Sequence, residues 1–271
     1  MKNFTRFMAA TLSLAVSLSA TSALAWGPIG HRVAGKIAQD ALSPQAQAGI
    51  SALMGVESLA EGSTWPDFMR SNPDEFWRRT ASPWHYVTVP PGLSYAQAGA
   101  PEEGDAYTAL SYFTPRITDP SVPMAQRRLA LRFVVHIIAD LHQPLHVGNG
   151  QDRGGNRVDV LFMDEPTNLH ALWDEGLILH EQLSYSEKAR WLDRKITPEQ
   201  RVLWRQTDPQ VWIAESLVLR ERVYEVLGPA DRDTMPNLSF NYVYAHKADV
   251  DERLSQSGVR IAAYLNEIFA E

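Results

Sequence analysis

The chain has 271 residues, a formal charge of −7, 45% hydrophobic and 21% charged residues, and no cysteine, the makeup of an ordinary globular protein. The acidic balance excludes a cleft that grips nucleic acid by side-chain charge alone. The lack of cysteine excludes disulfides and thiolate ligands, so any metal site must be built from His, Asp or Glu.

Residues 1–25 carry Lys2 and Arg6, then an uncharged run, FMAATLSLAVSLSA, then Ala23 and Ala25 in an A-x-A arrangement. This is the pattern of a secretory signal peptide cut after Ala25. An uncleaved anchor is the alternative, but the run is rich in Ser, Thr and Ala, and no later segment is apolar enough to span a bilayer. Removing residues 1–25 leaves a charge of −9. The expected product is exported, periplasmic or secreted. Without disulfides it must take its stability from core packing or bound metal.

No linker, charge block or repeat divides residues 26–271, which are expected to form one domain. Helical periodicity predicts helices over 31–42 and 44–54. HYVTVP (85–90) alternates as an extended run. From 123 to 142, Leu129, Leu131, Phe133, Val134, Ile137, Ile138 and Leu141 recur at helical spacing, and the helix should end before Pro144. QDRGGN (151–156) reads as a glycine-rich loop and RVDVLF (157–162) as a short strand. Further helices are predicted over 168–183, 209–227 and 241–269. The fold class is mainly α: one helical domain with long functional loops and a short β-hairpin.

His136 and Asp140 are four apart on the long helix, which puts their Cβ atoms ~5–6 Å apart on one face. His146 follows the Pro144 break and can return to the same region. His170 and Asp174 repeat the spacing in NLHALWDEG. One such pair is usually a hydrogen-bonded pair. Two of them among apolar residues need a partner, and a metal ion supplies one. Asp67 after Trp65-Pro66 would alone be a turn or cap residue, and His85 alone a structural histidine. Cleavage after Ala25 would free the α-amine of Trp26, whose pKa near ~7.7–8.0 allows metal binding together with its own carbonyl and His31. Taken by itself, Trp26 reads as a buried anchor.

WGPIGH, WPD, HYV, HIIADLHQPLHVG, DRGGN and NLHALWD, in that order over residues 26 to about 176, resemble the zinc-dependent, single-strand-specific nucleases of the S1/P1 type. The resemblance implies three zinc ions in the cleft of a mainly helical fold. Asp67, His85, His136 and Asp140 would hold one ion, and His146, His170 and Asp174 the second. The amine and carbonyl of Trp26 with His31 would hold the third, and Asp140 would bridge the first and third. His142 is not a ligand in the family, and His180 and His246 gain no role.

The implied activity is an endonuclease and 3′-nucleotidase that hydrolyses single-stranded DNA, RNA and 3′-nucleotides to 5′-phosphates. A water shared by two zinc ions ~3.5–4 Å apart attacks as hydroxide near neutral pH. Asp67 and Asp140 take part through the metals, and Arg70 would clamp the scissile phosphate. Tyr86 would stack on a base. Thr88 stands where the family often has an acidic or amide residue against the base. Asn156 would meet a base edge, with Gly154 and Gly155 allowing close approach. A monomer without stable membrane association is expected. Two alternatives share the same ligands: a zinc-dependent phospholipase C, and a periplasmic zinc-binding protein without catalysis.

Overall fold

The computed structural model describes residues 26–225, 227 and 235–270; the expected signal segment lies outside them. Two N-terminal helices, α1 (Pro28–Asp40) and α2 (Pro44–Met54), are joined by a short turn. Ser43 caps α2 by accepting the Ala46 N–H at 3.1 Å, and Pro44 occupies its first turn, where no N–H partner is required. The short helix α3 (Trp65–Met69) follows, and then α4 (Ala106–Phe113), started by an Asp105–Thr108 capping box.

Helix α5 (Met124–Asp140) is the axis of the molecule. Every residue from Phe133 to Gly148 is buried, including His136, Asp140, His142, Gln143 and His146. Each fully buried Leu, Ile or Phe contributes about 1.5–3 kcal/mol. That apolar run offsets part of what it costs to bury the polar side chains among it. Helices α6 (Tyr185–Asp193), α7 (Pro209–Glu225) and α8 (Phe240–Ile268) complete the body, with α1 lying chiefly against α8. Among the described residues no helix is long and apolar enough to cross a membrane.

Strands are few and short. β1 (Val87–Thr88) pairs in parallel with β2 (Val147–Gly148), so the expected extended run is tied to the chain just after His146 rather than forming a hairpin. β3 (Asp159–Phe162) and β4 (Glu165–Asn168) form the expected antiparallel hairpin. Its two turn residues, Met163 and Asp164, have φ of 52° and 68°, the left-handed pair of a tight hairpin turn. β5 (Asn237–Leu238) adds to β3 in parallel.

The chain between α5 and β2 leaves carbonyls that no helix satisfies, and buried donors from α7 and α8 reach them. Ser216 Oγ donates to the Leu141 carbonyl at 2.6 Å, Arg253 Nε to His142 at 3.1 Å and Arg220 Nη1 to Val147 at 2.8 Å. His142 Nδ1 donates to the Ile138 carbonyl at 2.6 Å, and its Nε2 faces Arg260 Nη1 at 3.0 Å. His142 thus holds this segment in place through its own hydrogen bonds. The floor of the site is therefore fixed from behind.

Candidate metal centre

Each candidate ligand sits where a helix ends or changes pitch. Asp67 lies in α3, whose first turn is stiffened by Pro66. His85 closes a 3-10 turn, Ser82–His85, two residues before the strand begins. His136 and Asp140 occupy the last turns of α5. His146 ends the 3-10 turn Pro144–His146 that Pro144 starts. The predicted helix 168–183 is instead a broken run: Leu169–Ala171 with His170, a π turn Leu172–Gly176 with Asp174, then Leu177–Leu179. The extra residue of a π turn redirects side chains, and such turns gather at functional sites.

These side chains converge. His85 Nδ1 is 2.8 Å from His136 Nε2 and 3.4 Å from Asp140 Oδ2, and His136 Nε2 is 3.1 Å from that same oxygen. Asp140 Oδ1 turns the other way, to His31 Nε2 at 3.2 Å. Asp67 Oδ1 lies 3.7 Å from His85 Nδ1 and 3.8 Å from His136 Nε2, while its Oδ2 lies 3.9 Å from His31 Nε2. His170 Nε2 and His146 Nε2 are 3.1 and 3.8 Å from the two oxygens of Asp174. Three groups have ligand atoms all within 4.8 Å of one another: His31, Asp67 and His136; His85, His136 and Asp140; His146, His170 and Asp174. The segment after Trp26 is tied beside the third group, where Gly27 N–H donates to the Asp174 main-chain carbonyl at 2.8 Å. The Trp26 indole is fully buried, as an anchor would be.

The imidazoles are aimed. His136 Nδ1 donates to the Ser63 carbonyl, His146 Nδ1 to that of His85 and His170 Nδ1 to that of Gly154, each at 2.6 Å. A carbonyl can only accept, so Nδ1 carries the proton and Nε2 presents its lone pair to the cluster. Gly154 has φ of 62°, and a Cβ there would meet the Leu145 carbonyl oxygen at 2.4 Å. The glycine-rich loop thus serves His170 directly. Gly154 and Gly155 are themselves buried, while Asn156 beside them is partly exposed.

Burial sets the electrostatics. It holds His31, His85 and His146 well below the ordinary imidazole range, with neighbouring imidazoles adding to the effect, and it lowers His136. Burial pushes Asp67 up to about 7 and Asp140 well above the ordinary carboxylate range. Asp174 is likewise raised by burial. His170 is raised despite its burial, because Asp174 faces it, so this pair behaves as two groups sharing a proton. Both nitrogens of His31, both oxygens of Asp67 and of Asp140, His146 Nε2 and Asp174 Oδ2 are buried without a hydrogen-bond partner. Such atoms are costly to bury unpaired. All are neutral-imidazole or carboxylate donors, the set that suits zinc and similar divalent ions. These residues fit a metal cluster.

On the solvent side, Arg70 Nη1 is 3.8 Å from Asp67 Oδ1 with its side chain 22% exposed, so it borders the cluster rather than the outer surface. Its charge acts on Asp67, His85, His136 and Asp140. Burial alternates from His85 to Val89, turning Tyr86 and Thr88 outward. Tyr86 is 43% exposed, an open ring beside a buried ligand. Asn156 Nδ2 donates to the Arg153 carbonyl at 2.8 Å, which holds its amide in the loop. His180 lies apart among Phe162 and Phe240, and His246 pairs with Asp249.

A model of the S1/P1 nuclease family matches residues 26–270. The chain belongs to the S1/P1 nuclease family. It is 29% identical over 269 residues to Endonuclease 2 of Arabidopsis thaliana, covering 90% of each chain. It is 30% identical over 275 residues to Endonuclease 4 of the same plant, covering 92% of this chain and 90% of the other. Nuclease S1 of Aspergillus oryzae is 34% identical over 175 residues, 59% of this chain and 58% of that one. As a member of this nuclease family the protein is a hydrolase of phosphodiesters, and nucleic acid is its substrate.

Two residues that support the candidate ligands were given no role by sequence reasoning. Gln143 is fully buried and donates from Nε2 to Asp174 Oδ1 at 2.5 Å. Asp152 accepts the Gly155 N–H at 2.9 Å and the Tyr224 hydroxyl at 2.7 Å, which pins the loop under His170. The signal for Gln143 is its place inside HQPLH, between two ligand segments. The signal for Asp152 is its place at the head of DRGGN.

Proposed function

We propose that the chain is exported, cut before Trp26, and acts as a zinc-dependent endonuclease and 3′-nucleotidase on single-stranded DNA and RNA, leaving 5′-phosphates. The observation that carries this reading is the convergence of five buried imidazoles and three buried carboxylates on three metal-sized groups, in a nuclease family member. Asp67, His85, His136 and Asp140 are assigned to one zinc, and His146, His170 and Asp174 to a second. The amine and carbonyl of Trp26 with His31 are assigned to a third. The two-sided placement of Asp140, one oxygen toward His31 and the other toward His85 and His136, suits a bridging carboxylate.

When bound, zinc supplies Lewis acidity at the phosphodiester and lowers the pKa of water toward neutrality. The protein's own groups do the rest. Arg70 holds phosphate oxygens through its planar fork. Tyr86 offers a face to any base, which gives stacking without sequence selection. A base locked in a duplex cannot turn onto Tyr86 while its phosphate lies at the cluster, and single strands are preferred for that reason. The hydrogen bonds to the Ser63, His85 and Gly154 carbonyls keep the imidazoles of His136, His146 and His170 aimed without reorganisation.

The test is an assay of processed protein on single-stranded DNA, RNA, a 3′-nucleotide, duplex DNA and phosphatidylcholine, with and without chelator. Chelator-sensitive cleavage of the first three, with duplex DNA cut much more slowly, is expected. Tyr86→Ala should weaken oligonucleotide binding about 10- to 100-fold. Strong lipid cleavage without nucleic-acid cleavage would instead make the protein a phospholipase C.

A further inference from the structure

Glu175 follows Asp174 in the π turn and belongs to none of the three ligand groups. Its half-buried side chain lies flat on the backbone of Gly27. A Cβ on Gly27 would come within 2.2 Å of Glu175 Cγ, 2.8 Å of Cδ and 2.6 Å of Oε1. Gly27 has φ of −50°, which any residue adopts, so its missing side chain is accounted for by the room Glu175 takes. The hydrogen bond from Gly27 N–H to the Asp174 carbonyl locks the two segments side by side. Among the described residues the Glu175 side chain makes no hydrogen bond or ion pair. The carboxylate is thus held against residue 27 with its acceptor capacity unused by the protein.

Cleavage before Trp26 creates a donor one residue away. We propose that Glu175 receives the liberated α-amine of Trp26, accepting one of its N–H bonds and thereby fixing the direction of the nitrogen lone pair. The inference rests on the reading that the mature chain begins at Trp26. A terminal amine rotates about its Cα–N bond, and an acceptor that fixes one N–H fixes that rotation. Glu175 is then a positioning residue: it acts on the third zinc through the amine, as outer partners act on metal-bound imidazoles. Gly27 is required beside it because any side chain would push the carboxylate away.

The test compares processed protein with a form carrying an extra methionine before Trp26, each with Glu175, Glu175→Ala or Glu175→Gln. Zinc per chain is measured after dialysis against graded chelator, and labelling of the terminal amine by an amine-reactive reagent is followed on zinc-loaded protein. In processed protein, Glu175→Ala should release one zinc at about 10- to 100-fold lower chelator and label faster. Glu175→Gln should stay near wild type, since its amide oxygen accepts the same bond. Gly27→Ala, which displaces Glu175 without altering its charge, should repeat the loss. In the extended form Glu175→Ala should change nothing. Unchanged zinc retention and labelling in processed Glu175→Ala, or an equal loss in the extended form, would overturn the proposal. Equal zinc in processed and extended wild type would overturn the Trp26 reading, and the proposal with it.

Discussion

Gln143 ties the two halves of the centre together: Nε2 donates to Asp174 Oδ1 and Oε1 accepts the Leu145 N–H, both at 2.5 Å. One buried amide thus joins the segment that carries His146 to the π turn that carries Asp174. Gln143→Leu should weaken metal binding at His146, His170 and Asp174 about 10- to 100-fold while the fold persists. Gln143→Glu should do worse, because it sets a second carboxylate against Asp174. Competition with a zinc chelator reads both; unchanged zinc affinity in Gln143→Leu would contradict the assignment.

Asp140 is fully buried, and without metal its oxygens lack hydrogen-bond partners. Its carboxyl is raised by burial, so the metal-free fold keeps a proton that the unfolded chain releases above pH ~4. That difference erodes metal-free stability as pH rises. Asp140→Asn removes it. The variant should be more stable than wild type when both are metal-free at pH 8, by about 1–3 kcal/mol, or roughly 2–4 °C in Tm per kcal/mol. It should also lose most of the stabilisation that zinc confers. Thermal melts with and without zinc check both signs.

How much of this was legible beforehand differs from residue to residue. His136 and Asp140 share a helix face by spacing alone, and the hydrophobic run around them predicts their burial. The chain-order motifs identify Asp67, His85 and Trp26, which no local pattern marks. The π turn at Leu172–Gly176 was not legible, because its spacing imitates an ordinary helix and only tertiary packing decides the pitch. Helices α4 and α6 were missed for their shortness, although Asp105–Thr108 and Ser184–Glu187 carry readable capping boxes. The pairing of β3 with β5 joins Leu161 to Asn237, a distance along the chain that no local signal spans.

Metal loading should release protons in a pH-dependent way. Asp67 is pushed up to about 7 by burial in the metal-free protein, so at pH 6 it must give up a proton before it can coordinate. At pH 8 that proton is already gone. Asp140, raised well above the ordinary carboxylate range by burial, must likewise give up the proton it keeps before it coordinates. His31, His85 and His146, held well below their ordinary range by burial, are neutral at both values and release none. Zinc affinity should therefore fall as pH drops below about 7. Calorimetry in buffers of different ionisation enthalpy should find more protons released at pH 6 than at pH 8; an equal count would contradict this.

Arg70 lies at the edge of the cluster and is not in any ligand group. Arg70→Ala should lower kcat/KM on single-stranded DNA by about 100-fold while leaving zinc per chain unchanged. Arg70→Lys should recover only part of the loss, since an ammonium cannot fork across two phosphate oxygens. Loss of zinc in either variant would move Arg70 from substrate binding to support of the metals.

The central claim is that Trp26, His31, Asp67, His85, His136, Asp140, His146, His170 and Asp174 surround three zinc ions. Anomalous diffraction at the zinc edge from crystals of processed protein tests it most directly. The account predicts three peaks: one among Asp67, His85, His136 and Asp140, one among His146, His170 and Asp174, and one beside His31 and the Trp26 amine. No peak within this cluster, or zinc bound only elsewhere on the surface, would contradict it.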